Sequence, residues 1–209
     1  MTITAQDVSA FEGCMAAGGL AVFPADTVYG VACDPDAKEA VQRLYLLKGR
    51  AAEKPAAVLF FALDLALEAL PELGPRTRAA LDALLPDALT LLLPNPAGRW
   101  PLACGPDPST VGLRVPALPS PAAALHGVRR PVMQSSANTS GGPDARRLAD
   151  VPVPLRDAAD LVLDGGELPG KPSTVVDLRG FEEHGTWSVV REGAVATDVI
   201  AGSLRGHAA

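Results

Sequence analysis

GGLAVFPADTVYGVA, residues 18–32, reads as a short buried strand over 20–23 that stops at Pro24 and delivers a polar turn. Asp26, Thr27, Tyr29 and Gly30 crowd together directly behind the apolar run. Open α/β sheets bind small ligands at strand ends of this kind. An ordinary capped strand running into a loop uses the same residue types. Four later segments repeat the pattern of an apolar strand ending in, or flanked by, Ser, Thr, Asn or Arg, and they favour a ligand site.

Outward from this stretch, Thr4 reads as an N-cap, with Val8, Phe11 and Met15 at helical spacing until Gly18 and Gly19 stop the helix. Asp34, Pro35 and Asp36 open a second helix with Ala40, Val41, Leu44 and Leu47 on one face. A buried strand is predicted at 57–61, helices near Asp64 and from Pro75 to Leu85, and a strand at 89–93 closed by Pro94. Residues 94–108 hold five prolines and read as an irregular surface loop. Strands recur at 110–115, 131–135, 161–163, 174–178 and 187–191, with a short helix at 197–204. Helices alternating with strands early and more strands late imply an α/β mixed sheet.

The chain has 209 residues, enough for one domain with a sizeable core. Hydrophobic residues make up 48% and aromatics only 4%, so the core rests on Ala, Val and Leu. A net charge of −6 and no Lys/Arg run argue against a non-specific nucleic-acid binder, as does the lack of an aromatic stacking platform. One concentrated basic pocket is compatible with that acidic balance. The three cysteines are scattered without a CxxC, and the three histidines lack ligand spacing, which speaks against a zinc site or a disulfide framework. With no leader-like N-terminus and no apolar run of spanning length, a cytoplasmic protein is expected.

In STVGLRVP, residues 109–116, strand alternation puts Val111, Leu113 and Val115 on the core face and Thr110, Gly112 and Arg114 on the other. The gap at Gly112, between a hydroxyl and a guanidinium, suits a small carboxylate held bidentately by Arg114. In PVMQSSANTSG, residues 131–141, an apolar strand runs into Ser135, Ser136, Asn138, Thr139 and Ser140, a polar rim able to grip ribose, phosphate or an amino acid. KGRAAEKP, residues 48–55, clusters Lys48, Arg50 and Lys54, which suits a polyphosphate. Each of these patterns also has a plain reading, as a solvated strand face, a turn or a basic loop.

GGELPGKPSTVVD, residues 165–177, mimics a phosphate-binding P-loop, but Pro172 stands where Ser or Thr must reach the metal. Ser173 and Thr174 are better read as ligands facing the same cleft. No nucleophile has a convincing partner and no paired carboxylates occur, so catalysis would work by positioning and charge stabilisation.

In this order the segments resemble the threonylcarbamoyl-AMP synthase family of YrdC/Sua5 type. PADTVYG is similar to its PT[DE]TVYG motif, and KGR…KP, STVGLRVP, SSANTSG, KPSTVVD and WSVVREG are similar to its later blocks, across roughly residues 12–195. The resemblance implies a twisted mixed open sheet with helices packed on its faces (a YrdC-like fold). It also implies one domain over 1–209 with its core at about 4–195, in the short form of the family. It further implies that L-threonine, bicarbonate and ATP, with Mg²⁺, are combined into threonylcarbamoyl-AMP and pyrophosphate. Partner proteins would then move the threonylcarbamoyl group to adenosine 37 of tRNA, with little or no direct tRNA binding by this chain.

By motif, Thr27, Arg114, Ser136 and Ser173 would hold threonine. Lys48, Arg50, Lys54, Thr110, Asn138, Arg146 and Arg191 would hold ATP, with Lys48 and Arg50 neutralising phosphate charge during catalysis; metal ligands are not assigned. Three departures are visible: Ala25 in place of Thr, Ala51 in place of Pro and Ala56 in place of Leu. They keep open a paralogue acting on another carbamoyl or nucleotide substrate. A non-catalytic RNA-binding module is the third reading, and the acidic charge opposes it.

Overall fold

The computed structural model describes residues 1–51 and 54–207; Ala52 and Glu53, inside the KGRAAEKP segment, and the last two alanines lie outside the described residues. Helix α1 (Ala5–Ala16) starts where expected, with Thr4 and Asp7 forming a reciprocal capping box. Strand β1 (Ala21–Pro24) follows and turns back through residues 25–28 into β2 (Tyr29–Cys33). The turn read from the sequence is therefore the tip of an antiparallel hairpin. Strand β2 escaped the sequence reading because all five of its residues are buried, which removes the polar alternation that marks a strand.

Helix α2 (Lys38–Lys48) ends at Gly49, whose φ of 57° suits the left-handed cap that redirects the chain into the KGR loop. Strand β3 (Ala57–Leu59), helices α3 (Leu63–Ala69) and α4 (Pro75–Leu84), and strand β4 (Leu89–Pro94) come next. The proline-rich segment is not all surface loop: it contains helix α5 (Pro101–Cys104), and Trp100 is buried edge-on against Phe60, ring centroids 5.7 Å apart. Its apolar residues Trp100, Ala103 and Cys104 supply the burial that a count of prolines obscures. Strands β5 (Thr110–Arg114) and β6 (Val132–Ser136), helix α6 (Val153–Asp157), strands β7 (Leu161–Val162) and β8 (Thr174–Asp177), helix α7 (Phe181–His184), strand β9 (Ser188–Arg191) and helix α8 (Thr197–Leu204) complete the chain.

Among the described residues the strands form one nine-stranded mixed sheet, ordered β7-β1-β2-β6-β3-β5-β4-β8-β9. One face is covered along its length by the larger core, which includes Val58, Leu91, Leu113, Met133 and Val176. The other face is divided. At the β1 end it packs under α1, where Phe11, Phe23 and Phe61 meet with centroids 5.5–6.0 Å apart. Toward β8 the same face carries Gly112, Arg114, Thr90 and Gln134, which line a cavity.

Candidate functional site

The cavity has a volume of about 560 Å³, within the usual range for small-molecule sites. Strand alternation builds its floor. On β5, Val111 and Leu113 enter the core, while Thr110, Gly112 and Arg114 line the cavity, as the sequence indicated. The neighbouring strand β4 contributes Thr90 and Leu92 by the same alternation, its residues 89, 91 and 93 being core leucines.

Of the residues singled out by motif, Thr27, Arg50, Thr110, Arg114, Ser136, Ser173 and Arg191 come together on the wall of this one cavity. They arrive from the β1–β2 hairpin, the end of α2, both ends of β5, the end of β6, the start of β8 and the end of β9. Gly193 makes the last of these convergences possible. It lies so close to the Ser173–Thr174 peptide that no Cβ fits, and Arg191 Nη2 donates to the Ser173 carbonyl at 2.7 Å. Ser173 Oγ in turn lies 2.8 Å from Thr90 Oγ1.

Four of the motif residues are not on the wall. The Lys48 ammonium is buried beneath it and donates to the Ser136 carbonyl, to the Asn138 carbonyl at 2.7 Å and to Asn138 Oδ1 at 3.0 Å. Burial lowers the Lys48 pKa to about 8, with the nearby Arg50 acting in the same direction. Asn138 also accepts from Ser136 Oγ at 2.7 Å, so Lys48 and Asn138 shape the turn that presents Ser136. Lys54 is exposed, and its carbonyl accepts from the Tyr45 hydroxyl at 2.7 Å. Arg146 pairs with Glu167 at 2.9 Å on the outer surface.

Arg50 is held at the rim by Tyr45, whose ring lies 6.0 Å beneath the guanidinium, and by the Pro55 carbonyl at 2.7 Å. Arg114 is paired with Asp26. Thr174 does not face the cleft: it is fully buried and bonded to Val195. Thr139 and Ser140 sit on the exposed turn outside the wall. Tyr29 is a strut, its hydroxyl 2.9 Å from Asp164 Oδ1, and burial pushes its pKa up to about 12. Ala25 is buried in the apolar core under α1, so the hydroxyl missing there is not missing from the cavity.

The sequence reading missed Arg179, Asp107, Asp144, Thr90 and Gln134, all on the wall. Thr90 and Gln134 carried a usable signal, each being a polar residue inside an otherwise apolar strand. Arg179 carried none: it follows β8 in a loop and reaches the cavity only through the fold.

A mixed α/β sheet with Arg50, Arg114, Arg179 and Arg191 around serine and threonine hydroxyls, Arg114 paired with Asp26 and Arg179 with Asp177, has the chemistry of a small-anion site, for carboxylates and phosphates among them. Comparison with known proteins narrows that class. The chain belongs to the Sua5/YciO/YrdC family, described as telomere recombination, which matches residues 14–193.

A Xanthomonas campestris protein named threonylcarbamoyl-AMP synthase is 32% identical over 179 residues, covering 83% of this chain and 94% of its own. One of the same name from Chromohalobacter salexigens is 33% identical over 187 residues, covering 87% and 98%. Sua5 of P. abyssi, solved in complex with L-threonine, superposes with a TM-score of 0.80 at 28% identity over 97% of this chain. This chain spans 58% of that one. E. coli YciO, at 22% identity and a TM-score of 0.79, shares the fold. No helix among the described residues is long and apolar enough to cross a membrane.

Proposed function

We propose that this protein is a cytoplasmic L-threonylcarbamoyl-AMP synthase, joining L-threonine, bicarbonate and ATP and releasing pyrophosphate. The observation that carries the reading is the convergence of Thr27, Arg50, Thr110, Arg114, Ser136, Ser173 and Arg191 on one cavity, in a chain whose curated relatives bear that name.

The amine of threonine combines with bicarbonate, losing water, to give a carbamate. A carbamate oxygen then attacks the α-phosphorus, the bond to the bridging oxygen breaks, and pyrophosphate leaves. Arg114 would hold the amino acid's carboxylate, with Thr27, Ser136 and Ser173 around it. Arg50 and Arg191 suit the triphosphate best, because the Pro55 and Ser173 carbonyls that hold them are neutral and neither guanidinium is in an ion pair with a carboxylate among the described residues. Thr110 would contact the nucleotide from the floor.

A magnesium ion bound with ATP supplies charge neutralisation on the phosphates. Such an ion would be held by substrate phosphates together with one or two protein carboxylates. Asp144 on the wall, whose Oδ1 has a 3.3 Å contact with Asn138, fits that requirement. Alignment of two reactants in one cavity can lower a barrier by up to about 7–11 kcal/mol, and nucleotidyl transfer depends mainly on such alignment and on cations. The product would pass to proteins that modify tRNA.

Pyrophosphate release, measured with ATP and bicarbonate in the presence and absence of L-threonine, tests the reading. Threonine-dependent release is expected. Release indifferent to the amino acid would replace the synthase with a paralogue acting on another substrate.

A further inference from the structure

Arg114 would hold the threonine carboxylate, but Asp26, buried against it, has no part in the mechanism above. The two side chains are 5% and 3% exposed, and Asp26 Oδ1 accepts from Arg114 Nη2 at 2.5 Å. On the other side, Arg114 Nη1 donates to Gln134 Oε1 at 3.2 Å. These partners come from the β1–β2 hairpin, β5 and β6, so the fold brings them together and local sequence does not.

Stability does not account for the arrangement. Two desolvated charges offset most of their own attraction, and a buried ion pair is often no better than apolar packing of the same volume. Here the pair is also under-satisfied, since Asp26 Oδ2 and Arg114 Nε are buried without a partner.

What the arrangement does supply is direction. A guanidinium reads a carboxylate as a planar fork, and the fork discriminates only when its plane is fixed. Arg114 and Gln134 line the cavity and Asp26 stands behind them. Two of the five guanidinium N–H groups are taken, one on each terminal nitrogen, so the group is gripped from two sides. Asp26 also cancels the charge of Arg114, which makes this arginine a poorer partner for a multiply charged phosphate than Arg50 or Arg191.

We infer that Asp26 and Gln134 are positioning residues that fix the plane and cancel the charge of Arg114, so that its end of the cavity takes an α-carboxylate and refuses phosphate. The inference rests on the assignment of Arg114 to the threonine carboxylate made above.

The test is steady-state kinetics of Asp26→Asn, whose folding is checked by circular dichroism. The Michaelis constant for threonine is expected to rise tenfold or more and that for ATP to stay within twofold. Inorganic phosphate is expected not to compete with threonine in the parent and to compete with it in the variant. In an Arg114→Met background, Asp26→Asn is expected to add nothing further. A threonine constant raised less than tenfold, an equal loss against ATP, or additive effects in the double variant would overturn the inference.

If the parent itself shows no threonine-dependent release, the functional reading has failed, and the positioning role is decided without activity. The Arg114 Nε–H resonance, assigned by its disappearance in Arg114→Lys, is expected to be sharp in the parent and broadened by exchange in Asp26→Asn; an unchanged resonance overturns the inference. Should Asp26→Asn not fold, Gln134→Met, close to isosteric, removes the grip at Nη1 and is held to the same threonine, ATP and resonance outcomes, without the anion competition.

Discussion

The Lys48 ammonium lies 2.7 Å from the main-chain oxygen of Asn138 and 3.0 Å from its side-chain oxygen, so the last residue of α2 is fastened to the turn after β6. Burial holds the Lys48 pKa at about 8, below its ordinary 10.5. The unfolded chain therefore keeps this proton to higher pH than the folded one. Between pH 8 and 10.5 the group adds stability as pH rises, and below pH 8 its charged form opposes folding in full. Denaturant unfolding of the parent and of Lys48→Met across that window is expected to show the parent gaining on the variant, by at most about 1.4 kcal/mol per pH unit. A constant difference would mean that the amine titrates at its ordinary value.

Arg114→Ala is expected to raise the threonine requirement steeply, since a lost charge-assisted contact amounts to about 1.5–3 kcal/mol. The same change strands the Asp26 carboxylate in the interior, and about 3–5 kcal/mol of stability should go with it. Replacing both partners, as Asp26→Leu with Arg114→Met, is expected to restore much of the melting temperature without restoring threonine use. Kinetics and thermal unfolding of the three variants separate the two roles.

If Arg50 holds ATP as proposed, Tyr45 would act on it through Arg50, by its ring and by its hydroxyl bond to the Lys54 carbonyl. Arg50→Ala is expected to weaken ATP use by about 1.5–3 kcal/mol. Tyr45→Phe, which keeps the ring and loses one neutral hydrogen bond, is expected to cost about 0.5–1.5 kcal/mol. Threonine kinetics should stay near the parent's in both; an ATP constant unchanged in Arg50→Ala would remove its phosphate role.

Gly193→Ala forces a methyl group into the Ser173–Thr174 peptide. Overpacking of this kind costs about 1–3 kcal/mol, and the shift it demands moves Ser173 and Arg191 together. A lower melting temperature is expected, with losses against both threonine and ATP. An unperturbed variant would show that the two segments are not in close contact.

Much of the site was legible in the sequence because the chemistry lay on strands with clean alternation. On β5 the small and apolar residues alternate with Thr110, Gly112 and Arg114, and that alone divided core from cavity. Lys48 shows the limit. Its place in a cationic cluster suggested a phosphate ligand, whereas its depth below the wall is set by how α2 packs on the sheet, which spacing does not encode. Asp26 stood in plain view within the opening motif, but its partner lies 88 residues away. Strand β2 and helix α5 were hidden for the opposite reason: the first is buried on both faces, and the second is a single turn framed by prolines.

The sheet face that seats the phenylalanine trio continues without a break into the cavity floor. Neighbouring strands there are laced by main-chain bonds, so no floor residue can slide without dragging its row along. The spacing between Thr110 and Arg114 on that floor is thus set by the ladders that join β5 to β3 and β4, and an arriving molecule meets a template cut to a fixed length.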